Sequence, residues 1–229
     1  MKKIFKLINK FRIPVNWYNL RRLEPISRVF GFDRGSPIDR VYIEHFLNLN
    51  KQYIQGVVCE IAGNTYAKKY GSNVKAYEIF HYIHDTNDNP RATIVGDLTD
   101  INTLPKNKID CFILTQTLNF IYDFKSAIKG VHYMLKKDGV VLATVSGISQ
   151  ISRYDMERWG DYWRFTDLSI KKTFEEIFGE ENVEVKTYGN VLAAISFLHG
   201  ISAEELSYDE LFYEDLDYQI IIGIKAVKR

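Results

Sequence analysis

Cysteine, proline and long apolar runs are what this sequence of 229 residues has least of. Its two cysteines, Cys59 and Cys111, stand far apart and without a metal-spaced histidine, which excludes a disulfide scaffold and argues against a zinc site. Both fall inside short apolar runs, as small core residues do in a reducing compartment, so a cytoplasmic location is expected. With only five prolines there is no low-complexity tract, and no internal repeat appears. No apolar run reaches membrane-spanning length; the longest, at 138–145 and 218–227, are strand-sized. Charge of one sign is lacking too. The 30 basic and 29 acidic side chains leave a net charge of +1, with no global field for a polyanion, so nucleic acid is not an expected partner.

What is present suits one folded α/β domain. Residues 1–55 read as an N-terminal helical lead-in. Lysines interrupt residues 2–10, so a signal peptide's continuous apolar stretch is missing. The apolar residues at 4, 5, 7, 8 and 11 follow a helical stripe with lysine on the other face. That pattern suits a membrane-surface or partner-docking helix, or a basic helix packed on the domain, the reading preferred here. Arg34-Gly35-Ser36-Pro37 is a turn, and Pro37 suits the start of a helix through Ile38, Val41, Tyr42, Ile43 and Phe46.

From residue 56 strands and helices alternate. Strands are predicted at 56–62, 74–80, 92–96, 110–115, 140–145, 183–188 and 218–227. A helix over 124–137 ends in a basic last turn with a glycine stop, and another opens at Thr166-Asp167. An insertion at about 190–217 contains two further helices. Continuous apolar strands alternating with helices predict a mostly parallel sheet covered on both faces.

In such a sheet, ligands bind beyond the carboxyl ends of the strands, where strand order reverses. After the first strand, Glu60-Ile61-Ala62-Gly63-Asn64-Thr65 offers one glycine where backbone can approach a ligand. The G-x-G-x-x-G fingerprint is absent, and a tight turn explains the glycine equally well. Glu78, near the end of the second strand, suits a ribose diol or a solvated surface. Gly96-Asp97-Leu98 ends the third, with a carboxylate for an adenine amine or for capping the next helix. The fourth runs into Thr115-Gln116-Thr117-Leu118-Asn119-Phe120, polar groups where cofactor and substrate would meet. Four such signals in order weigh more than any one alone.

The series Val58-Cys59-Glu60-Ile61-Ala62-Gly63, Gly96-Asp97-Leu98, Asp110 to Gln116 and Leu135 to Val140 resembles the motifs of class I S-adenosylmethionine-dependent methyltransferases, over residues 56–229. Arg34 to Arg40, Ile148 to Asp155, Asp161 to Thr166 and Phe197 to Gly200 are similar to a subgroup found with glycosyltransferases in bacterial surface-polysaccharide, including capsule, or secondary-metabolite biosynthesis. The resemblance implies a Rossmann-like sheet of seven strands in the order 3-2-1-4-5-7-6, the last antiparallel, with helices on both faces. It implies S-adenosyl-L-methionine as cofactor, in a pocket of Glu60, Gly63, Glu78, Asp97, Leu98 and Gln116 that Tyr42 covers. Two departures stand out. The glycine-rich first loop is reduced to Gly63, and Asn119-Phe120 replaces the Glu-His of many relatives.

The activity implied is methyl transfer, expected on oxygen of a sugar-derived, glycan or other small-molecule acceptor; the alternative is a binding module or pseudo-enzyme that keeps the fold without turnover. Arg153 and Arg164 suit an acceptor's phosphate or carboxylate, and Tyr154 and Trp163 a sugar ring; a surface salt bridge and core packing are the competing roles. For the base that takes the acceptor's proton, His199 is named first, with Asp155 and Asp161 as rivals; a histidine favouring a helix C-terminus is the alternative. No metal is expected, since His81 and His84 lie in a polar loop. A homo-oligomer is left open.

Overall fold

The computed structural model describes residues 18, 21–83, 85 and 89–229; the basic stripe at 4–11 and His84 lie outside them. The described lead-in holds no α-helix before Ile38, unlike the expectation. Phe30 and Gly31 take φ of 58° and 87°, and a Cβ on Gly31 would come 3.0 Å from the Gly200 carbonyl oxygen. Close packing on residues 200–201, not helix propensity, sets the backbone there. Helix α1 (Ile38–Leu49) follows Pro37 and buries Ile38, Tyr42, Ile43, Phe46 and Leu47, one helical face.

One sheet contains β1 (Gly56–Ile61), β2 (Val74–Tyr82), β3 (Ile94–Gly96), β4 (Ile109–Thr115), β5 (Leu135–Ser146), β6 (Val183–Tyr188) and β7 (Ile221–Val227), in the order β3-β2-β1-β4-β5-β7-β6. The first five pair in parallel, while β7 runs antiparallel to β5 and β6. This is the Rossmann-like class I methyltransferase arrangement expected from the sequence. The remaining helices are α2 (Thr65–Tyr70), α3 (Phe124–Met134), α4 (Arg153–Met156), α5 (Asp167–Phe178), α6 (Val191–His199) and α7 (Tyr208–Phe212). Alternate residues of β4 feed opposite cores. Phe112 and Leu114 pack with Ile128 and Phe174, and Cys111 and Ile113 with Ile38 and Phe197. Burial on both faces is why the strand reads as a continuous apolar run.

Two boundaries differ from expectation. Helix α3 stops at Met134, not 137, because Leu135 pairs with Ile109 and is buried in the sheet. The register then shifts before Cys111–Val140, with Asp138 at φ 63°. The side-chain ammonium of Lys228 donates to the His132 and Leu135 carbonyls, both at 2.8 Å, and so closes the helix end. Strand β2 continues to Tyr82, two residues beyond the expected end, which matters for the site. Helix α1 leads through residues 51–55 into the start of β1, so its first turn lies at the carboxyl end of the sheet.

Candidate functional site

At the end of β1 the Glu60 carboxylate is buried and accepts hydrogen bonds from the Tyr66 and Ala67 amides, at 3.2 and 2.8 Å. Burial raises its pKa, and the amides of Ala67, Tyr66 and Thr65 only partly offset this. Glu60 thereby ties the strand to α2. Between them Ala62 takes φ 60°, and the Gly63 amide turns back to the Ile61 carbonyl at 2.8 Å. A Cβ built on Gly63 would meet no atom of the described residues within 4 Å. Among them, the backbone there borders open space.

Glu78 is not at this rim. The last residue of β1, Ile61, lies opposite Phe80, and Glu78 lies opposite Cys59 in mid-sheet. Its Oε1 is 2.8 Å from Lys108 Nζ. Burial pushes the carboxyl up, but the bonds from Lys108 and the Thr93 hydroxyl prevail and hold it below the usual range. The ribose expectation therefore loses its residue, because β2 extends further and ends in His81 and Tyr82.

Asp97 stands just beyond β3. Its Oδ1 accepts from the Thr99 amide and hydroxyl, both at 2.8 Å, and its Oδ2 makes no hydrogen bond among the described residues. Asp100, not Asp97, caps the next helical turn. The Leu98 side chain is in the core, and its amide has no partner among the described residues. Burial first, then the charges of Asp97 and Tyr162, raise the Tyr82 pKa, so these three groups share one region of the rim.

Gln116, at φ 47°, is committed to a polar network. Its Oε1 accepts from Ser146 Oγ at 2.5 Å and Asn119 Nδ2 at 3.3 Å, and its Nε2 donates to Thr144 Oγ1 at 3.3 Å. Buried Asn119 in turn receives the Tyr162 and Trp163 amides on its carbonyl, at 2.9 and 3.2 Å. This network sets the path of residues 161–165.

Two expected site residues are spent on each other. Arg164 grips Asp161 bidentately, at 2.5 and 2.9 Å, and also donates to the Gln150 carbonyl at 2.6 Å and its neighbour's at 2.9 Å. The Asp161 side chain is 1% exposed and also accepts from the Ser152 amide at 3.0 Å. Burial raises its pKa, but Arg164 and that amide overcome it and lower the net value. Asp161 is a structural anion, not a poised base, and Arg164 is its partner, not a free anion receptor. Trp163 packs against Phe124 and donates Nε1 to the Ile121 and Tyr122 carbonyls at 3.2 and 3.1 Å, which makes it part of the wall. Tyr42 is fully buried, stacks on Tyr188 and donates to the Leu211 carbonyl at 2.6 Å, so it does not cover a donor pocket.

The other expected residues stay accessible. Tyr154 is exposed, with the Arg158 guanidinium 3.3 Å above its ring, and Arg153 is exposed with Nη1 3.4 Å from Met156 Sδ. Asp155 is half-buried, and its carboxylate has no ion pair among the described residues. Half-buried His199 ends α6 before left-handed Gly200; its Nδ1 is buried and has no hydrogen-bond partner among the described residues.

Sequence reasoning missed Asp39. It lies in the first turn of α1, beside Arg40, whose Nη1 donates to the Tyr66 hydroxyl at 2.7 Å. Asp39 is half-buried; its Oδ1 accepts the Arg40 amide at 2.8 Å and no other hydrogen bond among the described residues, and partial desolvation lifts its pKa against the pull of Arg40. An acidic residue two places after proline read simply as a helix start. Among the described residues no three of His, Cys, Asp and Glu gather as metal ligands.

Comparison with known proteins agrees with the fold. Residues 54–143 match a methyltransferase domain family. A SAM-dependent methyltransferase from Archaeoglobus fulgidus is similar with a TM-score of 0.53 at 14% identity, covering 88% of this chain and 100% of that one. A possible exported protein from Bordetella parapertussis gives 0.52 at 11% identity, covering 86% of this chain and 71% of that one. At these identities the structural likeness is one of fold. None of the curated proteins matches. These likenesses support the methyltransferase reading of the sequence; the narrower likeness to a polysaccharide-associated subgroup finds no support in them.

Proposed function

We propose that this chain transfers a methyl group from S-adenosylmethionine to a hydroxyl of a small sugar-derived or glycan acceptor. The observation that carries the reading is the open space over Gly63, at the carboxyl end of β1 in a sheet of methyltransferase order. A ligand's own atoms can approach the backbone where no Cβ intrudes. Asp97 Oδ2 and the Leu98 amide are an acceptor and a donor that fit the amine and ring nitrogen of adenine. The donor, when bound, supplies a methyl group already activated on a sulfonium. What the chain's residues must add is alignment of the acceptor and removal of its proton.

A carboxylate whose pKa is raised is a better proton acceptor than an ordinary one, which makes Asp39 the first candidate for that proton. Asp155 and His199 are the rivals. Exposed Tyr154 and Arg153, beyond β5, suit the ring and an anionic group of the acceptor. The segments at 34–40 and 161–166 support a setting in surface-glycan or secondary-metabolite biosynthesis.

The test is titration with S-adenosylmethionine, followed by mass spectrometry of nucleotide-sugar and glycan panels for a gain of one methyl group. Absence of donor binding overturns the reading. A second reading, a binding module without turnover, is favoured by the engagement of Glu78 and Gln116 in internal bonds. Donor binding without transfer to any acceptor would select it.

A further inference from the structure

Helix α6 carries an exposed apolar stripe that no described residue covers. Val191, Leu192, Ile195 and Leu198 are between 37% and 47% exposed, at the spacing of one helix face, while Ala193, Ala194 and Phe197 fill the core behind them. The segment that follows is strongly acidic. Residues 200–217 hold seven acidic side chains and no basic one. Glu205 is neutralised by Arg34 and Glu214 by Lys186, which leaves Glu204, Asp209, Glu210, Asp215 and Asp217 without a cation among the described residues. Asn190, which caps α6, binds the Glu210 and Tyr213 carbonyls at 2.7 and 2.9 Å, so this acidic segment flanks the apolar stripe.

The opposite character is found at the other end of the chain. Residues 1–17 hold Lys2, Lys3, Lys6, Lys10 and Arg12 and no acidic side chain, with apolar residues at 4, 5, 7, 8 and 11. The chain meets the domain beside α6: the Ile26 and Ser27 amides donate to the His199 carbonyl, at 2.8 and 3.0 Å. Residues 18–25 can bridge up to about 26 Å when extended. Helix α6, with its nine residues, is about 13 Å long, so its whole face is in reach.

We infer that residues 1–17 of the same chain are the occupant of this face, their apolar residues against Val191, Leu192, Ile195 and Leu198 and their lysines toward the acidic segment. The inference is independent of the donor and acceptor reading.

Maleimide labelling of Ile195→Cys tests it, since the native Cys59 and Cys111 are fully buried. Labelling in the full chain is expected to be at least about tenfold slower than in the same variant lacking residues 1–17, while Tyr154→Cys labels alike in both. Should the shortened chain fail to fold, Lys3→Glu, Lys6→Glu and Lys10→Glu together in the full chain decide the matter. They should speed Ile195→Cys labelling at low salt. Equal labelling with and without the segment or its charges overturns the inference. So does protection that grows with protein concentration alongside a dimer mass, which would assign the face to a second copy. Protection that appears only with phosphatidylserine vesicles would assign it to a membrane and overturn the inference equally.

Discussion

Removing the Arg164 guanidinium separates its two roles, as a holder of Asp161 and as a receptor for an acceptor's anionic group. In Arg164→Ala, four hydrogen bonds are lost, two of them to a carboxylate that is 1% exposed. Breaking a buried pair from one side costs about 3–5 kcal/mol, because the remaining charge stays desolvated. Arg164 itself is 28% exposed, which puts the expectation near about 3 kcal/mol. For a chain of this size about 1 kcal/mol moves Tm by about 2–4 °C, so a fall of about 6–12 °C is expected in a thermal scan. Adding Asp161→Asn should return part of that loss, since no buried charge is then stranded. Asp161 has a lowered pKa, so its contribution is present above the ordinary carboxylate range and is lost as pH falls through its own lower value. The gap between wild type and Arg164→Ala should therefore narrow in acid. A variant with unchanged Tm but an acceptor KM raised tenfold would refute this reasoning and return Arg164 to the substrate.

Asp39→Asn should slow transfer by about 10²–10⁴-fold at saturating donor and acceptor if Asp39 takes the proton, with His199→Gln and Asp155→Asn near wild type. Its effect on stability has the opposite sign: a raised carboxyl pKa means stability is lost as pH rises through it. The asparagine variant should then melt higher than wild type at pH 8 and no higher at pH 3; a variant that melts lower at both removes the desolvation argument. Asp97→Ala should weaken donor binding by about 1–3 kcal/mol in calorimetry, whereas Glu78→Ala should leave it within about twofold. The reverse pattern would put the rim elsewhere. Ala62→Gly should leave Tm nearly unchanged, and Ala62→Val should cost about 1–2 kcal/mol, because a β-branched residue resists a φ of 60°; equal Tm for both would deny the strained turn.

The central strands were legible because their burial on both faces writes itself as unbroken apolar runs, as in Val140 to Ala143 and Cys111 to Leu114. Where a strand stops is another matter. Ending β2 at Phe80 put Glu78 at a rim, but a parallel strand continues as long as its neighbours supply hydrogen bonds, and β3 pairs it as far as Tyr82. Two residues of extension turned an expected ribose ligand into half of an ion pair. The same limit applies to side-chain roles. Asp161 and Arg164, three apart, are chemically suited to a base and an anion receptor, and equally suited to each other; only the burial of Asp161 decides. Asp39 is the converse case. Nothing local distinguishes it from any acid in the first turn of a helix, and its value comes from α1 lying against α2 at the sheet's carboxyl end, where Arg40 reaches Tyr66. A polar residue's chemistry is thus set by whether a partner arrives from elsewhere in the chain. An acid held in an ion pair becomes structure, and one without a side-chain ion pair among the described residues, as Asp39 is, becomes the candidate to test.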